Sequence, residues 1–291
     1  MKTSRAFPAG LAALVVVFAS ALPAAEEAPT AKAPTVEQIV DSANHVAYYQ
    51  GADGRARVKM TITDAQKRTR EREMTILRWD EPAPKDKDKG KDAPAKKDQK
   101  FNGRQKFYVY FHKPADVSKM AFLVHKQLKG DDDRWMYLPK LDLVKRIAGS
   151  EKRTSFVGSD FFYEDVSGRN VNDDKHELVQ DTDQYYVLKN TPVDPAKVEF
   201  AYYKTWIHKK TFLVIKNEYY DRNDKPYRTY QVSAVKEIQG YWTVTKARMS
   251  DQAAGRYTDV EYSDVKYDTN MDEDLFTERY LRQPPKEHIS D

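Results

Sequence analysis

The feature that most constrains the fold of this chain is a period-two alternation of apolar and polar residues that recurs along most of its length. The segment ARVKMTIT at residues 56–63 is typical, with an apolar side chain at every second position. Such alternation places the apolar side chains on one face of a β-strand. Turn-forming sequences such as Asp224-Lys225-Pro226 separate the segments. The pattern predicts a meandering antiparallel sheet.

The predicted strands are numerous. They cover residues 56–63, 69–79, 101–111, 120–124, 134–138, 141–147, 185–188, 198–207, 212–221, 227–237, 241–249 and 257–267. Nineteen tyrosines fit this assignment, because aromatic residues favour strands. Several strands carry large side chains on both faces, which indicates a strongly curved sheet with a packed or ligand-filled interior. Periodicity alone allows a filled barrel or a sandwich equally well.

Helices are few in this sequence. Thr35 and Gln38 form a capping-box pair, and apolar residues then recur at helical spacing to about Tyr49. A short helix is expected after Ser159, and a closing helix near Asp272. Three helices of this size are too few to cover a whole sheet face, so other groups must fill the concavity.

The N-terminus has the pattern of a secretory signal peptide. Lys2 and Arg5 precede a continuous apolar run at residues 9–22. Small residues favour cleavage after residue 21, with Ala24 as an alternative. A transmembrane helix is the weaker interpretation, because it needs about 20 apolar residues. The sequence thus predicts a signal peptide at 1–21, a disordered linker at 22–34 and an exported mature protein.

Cysteine and charge exclude several classes of protein. The chain has no cysteine, so the mature protein is expected to lack disulfides and a lipidation site, and not to be a lipoprotein itself. The formal net charge is +4, with both signs interspersed. A nucleic-acid-binding protein would carry a clustered basic face instead. We therefore expect no nucleic acid partner.

One domain is expected at residues 35–283, followed by a tail at 284–291. A lysine- and aspartate-rich insert at residues 81–100 interrupts it and has no apolar side chain larger than alanine or proline. Such a segment cannot contribute to a core, which favours a solvated loop between two strands. An electrostatic arm toward anionic lipid headgroups is the alternative, although the interspersed aspartates argue against it.

The segment from Asp131 to Asp165 has an order that composition alone would not produce. A short strand with Trp135 and Tyr137 on one face ends at Pro139, which lacks a backbone donor. Lys145 and Arg146 follow, and then Gly158, Ser159 and Asp160 precede a helix start with Glu164 and Asp165. We predict that Arg146 pairs with Asp160 or Asp165, since arginine suits a bidentate carboxylate contact.

Catalytic patterns are weak in this sequence. The six histidines are scattered, without the close spacing of a metal pair. Gly158-Ser159-Asp160 lacks the second glycine of a nucleophile elbow. Carboxylates at Asp160, Glu164 and Asp165 are first explained by helix capping and the helix dipole. We expect neither an enzyme nor a cofactor.

The same segment resembles the LolA-like family of periplasmic outer-membrane lipoprotein-sorting proteins. The resemblance is carried by a W-x-Y-L-P strand, a basic pair and an F-x-G-S-D-F-x-Y-E-D block. Later runs at Trp206–Leu213, Gly240–Trp242 and Asp274–Leu281 extend it over most of the chain. Its structural and lid signature consists of Trp135, Tyr137, Pro139, Arg146, Gly158, Asp160 and Asp165.

The resemblance implies a fold and a function. The implied fold is mainly β, with a curved antiparallel sheet forming an unclosed half β-barrel lidded by a few helices. The implied function is a periplasmic carrier whose hydrophobic cavity takes lipoprotein acyl chains or another lipid, with an inner-membrane transporter as a further partner. A non-catalytic adaptor of a lipid exporter of the RND or MMPL type is the alternative, and a hydrolase comes third.

Candidate cavity residues follow from the implied task. Flexible thioethers adapt to variable chains, although ordinary core is the commoner place for any single methionine. The candidate lining residues are Met60, Met74, Met120, Met136, Phe122 and Trp206, with Met249 as a further methionine.

Overall fold

The computed structural model describes residues 33–83 and 101–290. The strands in this part of the chain are β1 (Asp53–Thr63), β2 (Thr69–Pro82), β3 (Phe101–Lys113), β4 (Ala121–Lys126), β5 (Asp133–Leu138), β6 (Leu143–Ile147), β7 (Asp174–Asp181), β8 (Tyr185–Pro192), β9 (Tyr202–His208), β10 (Val214–Tyr220), β11 (Pro226–Ile238), β12 (Tyr241–Asp251) and β13 (Arg256–Tyr267). The predicted signal peptide, and residues 84–100 of the predicted insert between β2 and β3, lie outside the described residues.

These described strands form one 13-stranded sheet in the order β6-β5-β4-β3-β2-β1-β13-β12-β11-β10-β9-β8-β7. The first and last strands pair at its middle, with Val58 opposite Tyr262. The chain leaves the sheet at the β6 edge and re-enters it at the opposite edge as β7. These two end strands do not pair with each other. The predicted mainly β, unclosed half-barrel is therefore confirmed.

The helices of the described residues are α1 (Val36–Tyr48), α2 (Tyr163–Ser167), α3 (Arg279–Arg282) and α4 (Lys286–Ile289). The predicted start of α1 is confirmed, because the Gln38 N–H donates to Thr35 Oγ1 at 3.2 Å and the Thr35 N–H to Gln38 Oε1 at 2.9 Å. Among the residues described here, no helix is both long and apolar enough to span a membrane. β7 was not predicted, because Asp174 is its only buried residue.

A crossing segment, which we call the plug segment (residues 148–173), packs against one face of the sheet. We call this face, which carries Val58 and Phe122, the inner face. The ring centroid of Phe156 lies 5.7 Å from that of Phe111 and 5.3 Å from that of Phe122. Burying a phenylalanine side chain stabilises a fold by about 1.5–3 kcal/mol. The plug segment is therefore part of the main core.

The C-terminal residues cover part of the opposite, outer face. Leu77, Tyr108 and Leu123 are buried there beneath Phe276, Leu281 and Ile289. The Tyr108 hydroxyl donates to the Tyr280 carbonyl at 2.8 Å. Ile289 is only 4% exposed, so the predicted tail at 284–291 contains part of the packed domain. Its apolar residues are too few to reveal this from the sequence.

Candidate ligand-binding site

A cavity of about 420 Å³ lies between α1, the plug segment and the inner face of the sheet. Its volume is within the range of small-molecule sites. Packing of Ile39 and Ala43 on Leu188 and Ile207 holds α1 over the sheet. The apolar part of the wall includes Val40, Ala43, Ala56, Ile76, Phe107, Phe161, Val166, Leu188, Ile207, Val214, Val244 and Met249. Sequence and packing thus combine to form an apolar chamber beneath the first helix.

The structure places the six candidate lining residues away from this cavity. Met60, Met74, Met136 and Phe122 are buried in the inner-face core, and Met120 packs against it. Trp206 lies on the other face of β9 from Ile207, with the Lys216 ammonium 4.5 Å from its ring centroid. The cavity wall contains none of the six. The six residues lie outside the wall because aromatic side chains of the plug segment fill the space beside the methionines. Met249, the further methionine, does line the cavity.

Four tyrosines border the cavity and were missed by the sequence analysis. They are Tyr48 of α1, Tyr219 of β10, Tyr230 of β11 and Tyr262 of β13, and we call them the tyrosine cluster. Tyr262 continues the inner-face alternation of β13, so its position is readable from the sequence. What the sequence does not reveal is that side chains from four separate elements converge.

Burial makes the four tyrosines of the cluster harder to ionise, because it raises the pKa of each phenol. Burial raises the pKa of Tyr219 and of Tyr262 to about 12. Burial also raises the pKa of Tyr48, with further contributions from Asp165, Tyr219 and Tyr262. The four phenols therefore stay protonated at any physiological pH and are available as hydrogen-bond donors.

A buried ion-pair network fixes the plug segment beside the cavity. The Glu164 side chain is 3% exposed and accepts from Arg153 Nη1 at 2.8 Å. Arg169 Nη1 and Lys152 Nζ lie 3.4 and 3.5 Å from Glu164 Oε1. Burial alone would raise the pKa of the Glu164 carboxyl, but Arg153 and Arg169 outweigh it, and the pKa is lowered. Glu164 is thus a charged anchor rather than a proton donor.

The predicted pairing of Arg146 with Asp160 or Asp165 is wrong. Arg146 lies on edge strand β6 and pairs with Asp133 of the neighbouring strand. The partners of Asp160 and Asp165 come instead from β13 and β11. Asp165 pairs with Arg228, and Asp160 Oδ1 forms an ion pair with Arg256 Nε at 2.8 Å. The sequence showed the carboxylates but not which distant arginine the fold brings to them.

Of the remaining signature residues, Trp135, Tyr137, Pro139 and Gly158 lie outside the cavity wall, whereas Asp165 also lines the cavity. Trp135 packs under the C-terminal cover, with its ring centroid 5.0 Å from that of His125. The Tyr137 hydroxyl donates to Asp142 Oδ1 at 3.1 Å, next to the 3-10 turn that begins at Pro139. Gly158 has φ +80°, a conformation that side chains disfavour. Asp165 caps α2, because its Oδ2 accepts from the Phe162 N–H at 2.6 Å.

Within residues 33–83 and 101–290, no group of three or more His, Cys, Asp or Glu side chains is placed to hold a metal ion. The fold and cavity define the class instead: an open antiparallel half-barrel whose interior is shared by a plug segment and a chamber under a helix.

Comparisons with known proteins agree with this class. A family model described as "Uncharacterized protein" matches residues 103–283, more than half of the chain, and the chain belongs to that family. Curated proteins give no match. A DUF1329 family protein from Desulfovibrio piger has a similar structure, with a TM-score of 0.70 and 26% identity, over 84% of this chain and 98% of that one.

Two further solved structures are named for lipoprotein sorting or LolA. A putative outer membrane lipoprotein-sorting protein domain from Vibrio parahaemolyticus has a TM-score of 0.70 and 26% identity, covering 85% of this chain and all 100% of that one. A LolA superfamily protein from Nitrosomonas europaea, 20% identical with a TM-score of 0.62, has the same coverage, 85% and 100%, and shares the fold. The predicted resemblance to the LolA-like family is confirmed.

Proposed function

We propose that this protein is a non-enzymatic periplasmic carrier that shields lipid acyl chains in the cavity beneath α1 during transfer between membranes. The observation that carries this proposal is the largely apolar chamber of about 420 Å³ within a lipoprotein-sorting fold. The N-terminal pattern of Lys2, Arg5 and the apolar run after them supports export. The cargo is the acyl part of a lipoprotein or of another lipid.

The energetics of the task require such a chamber. Each buried methylene is worth about 0.8 kcal/mol, so a chain of about sixteen carbons faces roughly 13 kcal/mol on leaving a membrane for water. A carrier must offset most of this cost with apolar contacts. Side chains from α1, the plug segment and the inner face supply these contacts on several sides of the cavity.

One observation favours a second function. The plug segment fills much of the inner face with its own side chains, including Phe156 and Phe161. A smaller chamber suits a protein whose main role is contact with other proteins. The second candidate is therefore a non-catalytic periplasmic adaptor of an RND- or MMPL-type lipid exporter.

A cavity-filling variant distinguishes the two functions. Ala56 lines the cavity, so Ala56→Phe inserts a ring into the space proposed for an acyl chain. The measurement is the affinity of a fluorescent fatty acid for the wild type and for each variant. Ala65→Phe, at an exposed turn, is the matched control.

We expect saturable binding by the wild type and by Ala65→Phe, and a loss of at least ten-fold in Ala56→Phe. Equal binding by all three proteins would place the probe outside the cavity. No binding by any of them, with all three folded, would favour the adaptor.

A further inference from the structure

The tyrosine cluster brings to one cavity four hydroxyl groups that have no protein partner among the described residues. Within the described residues, none of the four hydroxyls makes a hydrogen bond. Other tyrosines in the same fold are satisfied, such as Tyr203, whose hydroxyl donates to Asp174 Oδ2 at 2.8 Å. Phenylalanine would fill the same volume in an apolar wall without a polar atom to satisfy. The four hydroxyls therefore point to a polar group that is not part of the protein.

Two side-chain oxygens that have no partner among the described residues accompany the hydroxyls. Asn217 lies opposite Tyr230 in the β10–β11 register, and its buried Oδ1 has no hydrogen-bond partner among the described residues. Asp165, which also lines the cavity, uses Oδ2 for Arg228 and for the Phe162 N–H. Its Oδ1 makes no hydrogen bond within the described residues. The wall thus offers phenolic donors and carbonyl-type acceptors in one region of an apolar chamber.

The charges next to Asp165 are already paired within the protein. Asp165 pairs with Arg228. The two arginines that border the cavity beside it, Arg153 and Arg169, each contact Glu164 and a second carboxylate, which is Glu199 for Arg153 and Asp174 for Arg169. At the tyrosine cluster an anionic headgroup would face Asp165, and the arginines that contact Asp165 and Glu164 are already engaged by carboxylates. An uncharged group with both donor and acceptor atoms matches the site.

We propose that the tyrosine cluster, with Asn217 and Asp165, binds an uncharged glycerol ester or hydroxyl group of the cargo. The ligand class is then a neutral acylglycerol, either free or as the acylglyceryl anchor of a lipoprotein. This inference rests on the proposed carrier function and adds the chemistry at the head of the chain. The acyl chain extends from the cluster along the apolar wall formed by residues such as Ile76 and Val244.

The test compares headgroups on one chain length. Wild type and the double variant Tyr219→Phe/Tyr230→Phe are titrated with 1-palmitoylglycerol, palmitate and a dipalmitoylglyceryl-cysteine peptide, by displacement of a fluorescent alkyl probe. The two lost hydrogen bonds predict about a ten-fold weaker affinity for 1-palmitoylglycerol in the double variant. Palmitate affinity should stay unchanged, and wild type should prefer the glycerol ester to palmitate. Tyr202→Phe, on the outer face of β9, is the control.

The outcomes show whether a failure concerns this inference alone or the carrier function as well. Preference of wild type for palmitate, or an unchanged glycerol-ester preference in the double variant, overturns the inference and leaves the carrier intact. Wild type that binds none of the three ligands overturns both. Binding of the peptide but not of the free glyceride identifies the source as a lipoprotein anchor, and the converse identifies a free glyceride.

A second readout does not depend on a ligand. Because the cluster hydroxyls have no protein partner among the described residues, Tyr230→Phe should melt at or above the wild-type temperature. Tyr108→Phe, which removes the bond to the Tyr280 carbonyl, should melt lower. If the melting temperature of Tyr230→Phe falls as much as that of Tyr108→Phe, the Tyr230 hydroxyl stabilises the fold and the inference is overturned.

Discussion

Replacing Glu164 by glutamine should destabilise the domain strongly while keeping the side-chain volume. Its carboxylate lies 2.8 Å from Arg153, 3.4 Å from Arg169 and 3.5 Å from Lys152. Removing one partner of a buried ion pair typically costs about 3–5 kcal/mol, because the remaining charge stays buried without compensation. Each of these cations keeps a second acidic partner. We therefore expect Glu164→Gln to lower the free energy of unfolding by the lower end of this range, about 3 kcal/mol.

The assay is thermal and urea unfolding of the wild type, Glu164→Gln and Glu199→Gln. For a domain of this size, about 3 kcal/mol corresponds to a fall of roughly 6–12 °C in melting temperature. Glu199 is the matched control, because its side chain also contacts Arg153 but is 39% exposed. Glu199→Gln should lower the free energy of unfolding by about 1 kcal/mol or less. Similar losses in both variants, or a loss under about 1 kcal/mol in Glu164→Gln, would refute the buried anchor.

The same anchor sets a pH dependence. Because the pKa of Glu164 is lower in the folded state than its ordinary value, its stabilisation is fully present above the ordinary value. It is lost as the pH falls through the folded-state pKa. Unfolding of wild type should therefore become easier in that acidic range. Glu164→Gln should show a smaller acid-induced loss than wild type, and equal slopes would contradict this assignment.

Three further predictions concern residues outside the cavity wall: two ion-pairing arginines, Trp135 and the lysine- and aspartate-rich insert. Arg228→Met should cost about 3 kcal/mol or more in urea unfolding, because it leaves Asp165 without its partner, whereas Arg146→Met on the edge strand should cost less than about 1 kcal/mol; the reverse order would restore the Arg146 hypothesis. Trp135→Ala should cost about 3–5 kcal/mol of stability without changing ligand preference, and a stable variant with lost lipid binding would move Trp135 into the site. Deleting residues 85–97 should leave the melting temperature nearly unchanged, because loop length affects stability only slowly, and a large fall would give the insert a structural role.

The fold could be predicted from local patterns where those patterns are strong. Thr35 and Gln38 marked the start of α1, and alternation found most strands, because both depend on residues close in sequence. β7 escaped because it is an edge strand with a single buried residue, and its Leu178 is 38% exposed. A strand without an apolar face carries little periodicity.

The site could be predicted much less well than the fold. The plug segment reads as a polar loop with a short helix, yet Phe156 and Phe161 pack inside the sheet. The methionines that were predicted to line the cavity therefore lie in the core instead. Arg228 and Asp165 are 63 residues apart, and such a contact is created by the sheet order. The tyrosine cluster likewise depends on side chains from four separate elements.

The most direct test of the carrier account is native mass spectrometry of the mature protein purified from cell envelopes, with extraction and identification of any bound lipid. The account predicts a near-stoichiometric acyl lipid on wild type and Ala65→Phe, and its loss from Ala56→Phe. If folded wild type carries no acyl lipid, and so does not differ from Ala56→Phe in its lipid content, the account is contradicted and the adaptor is favoured.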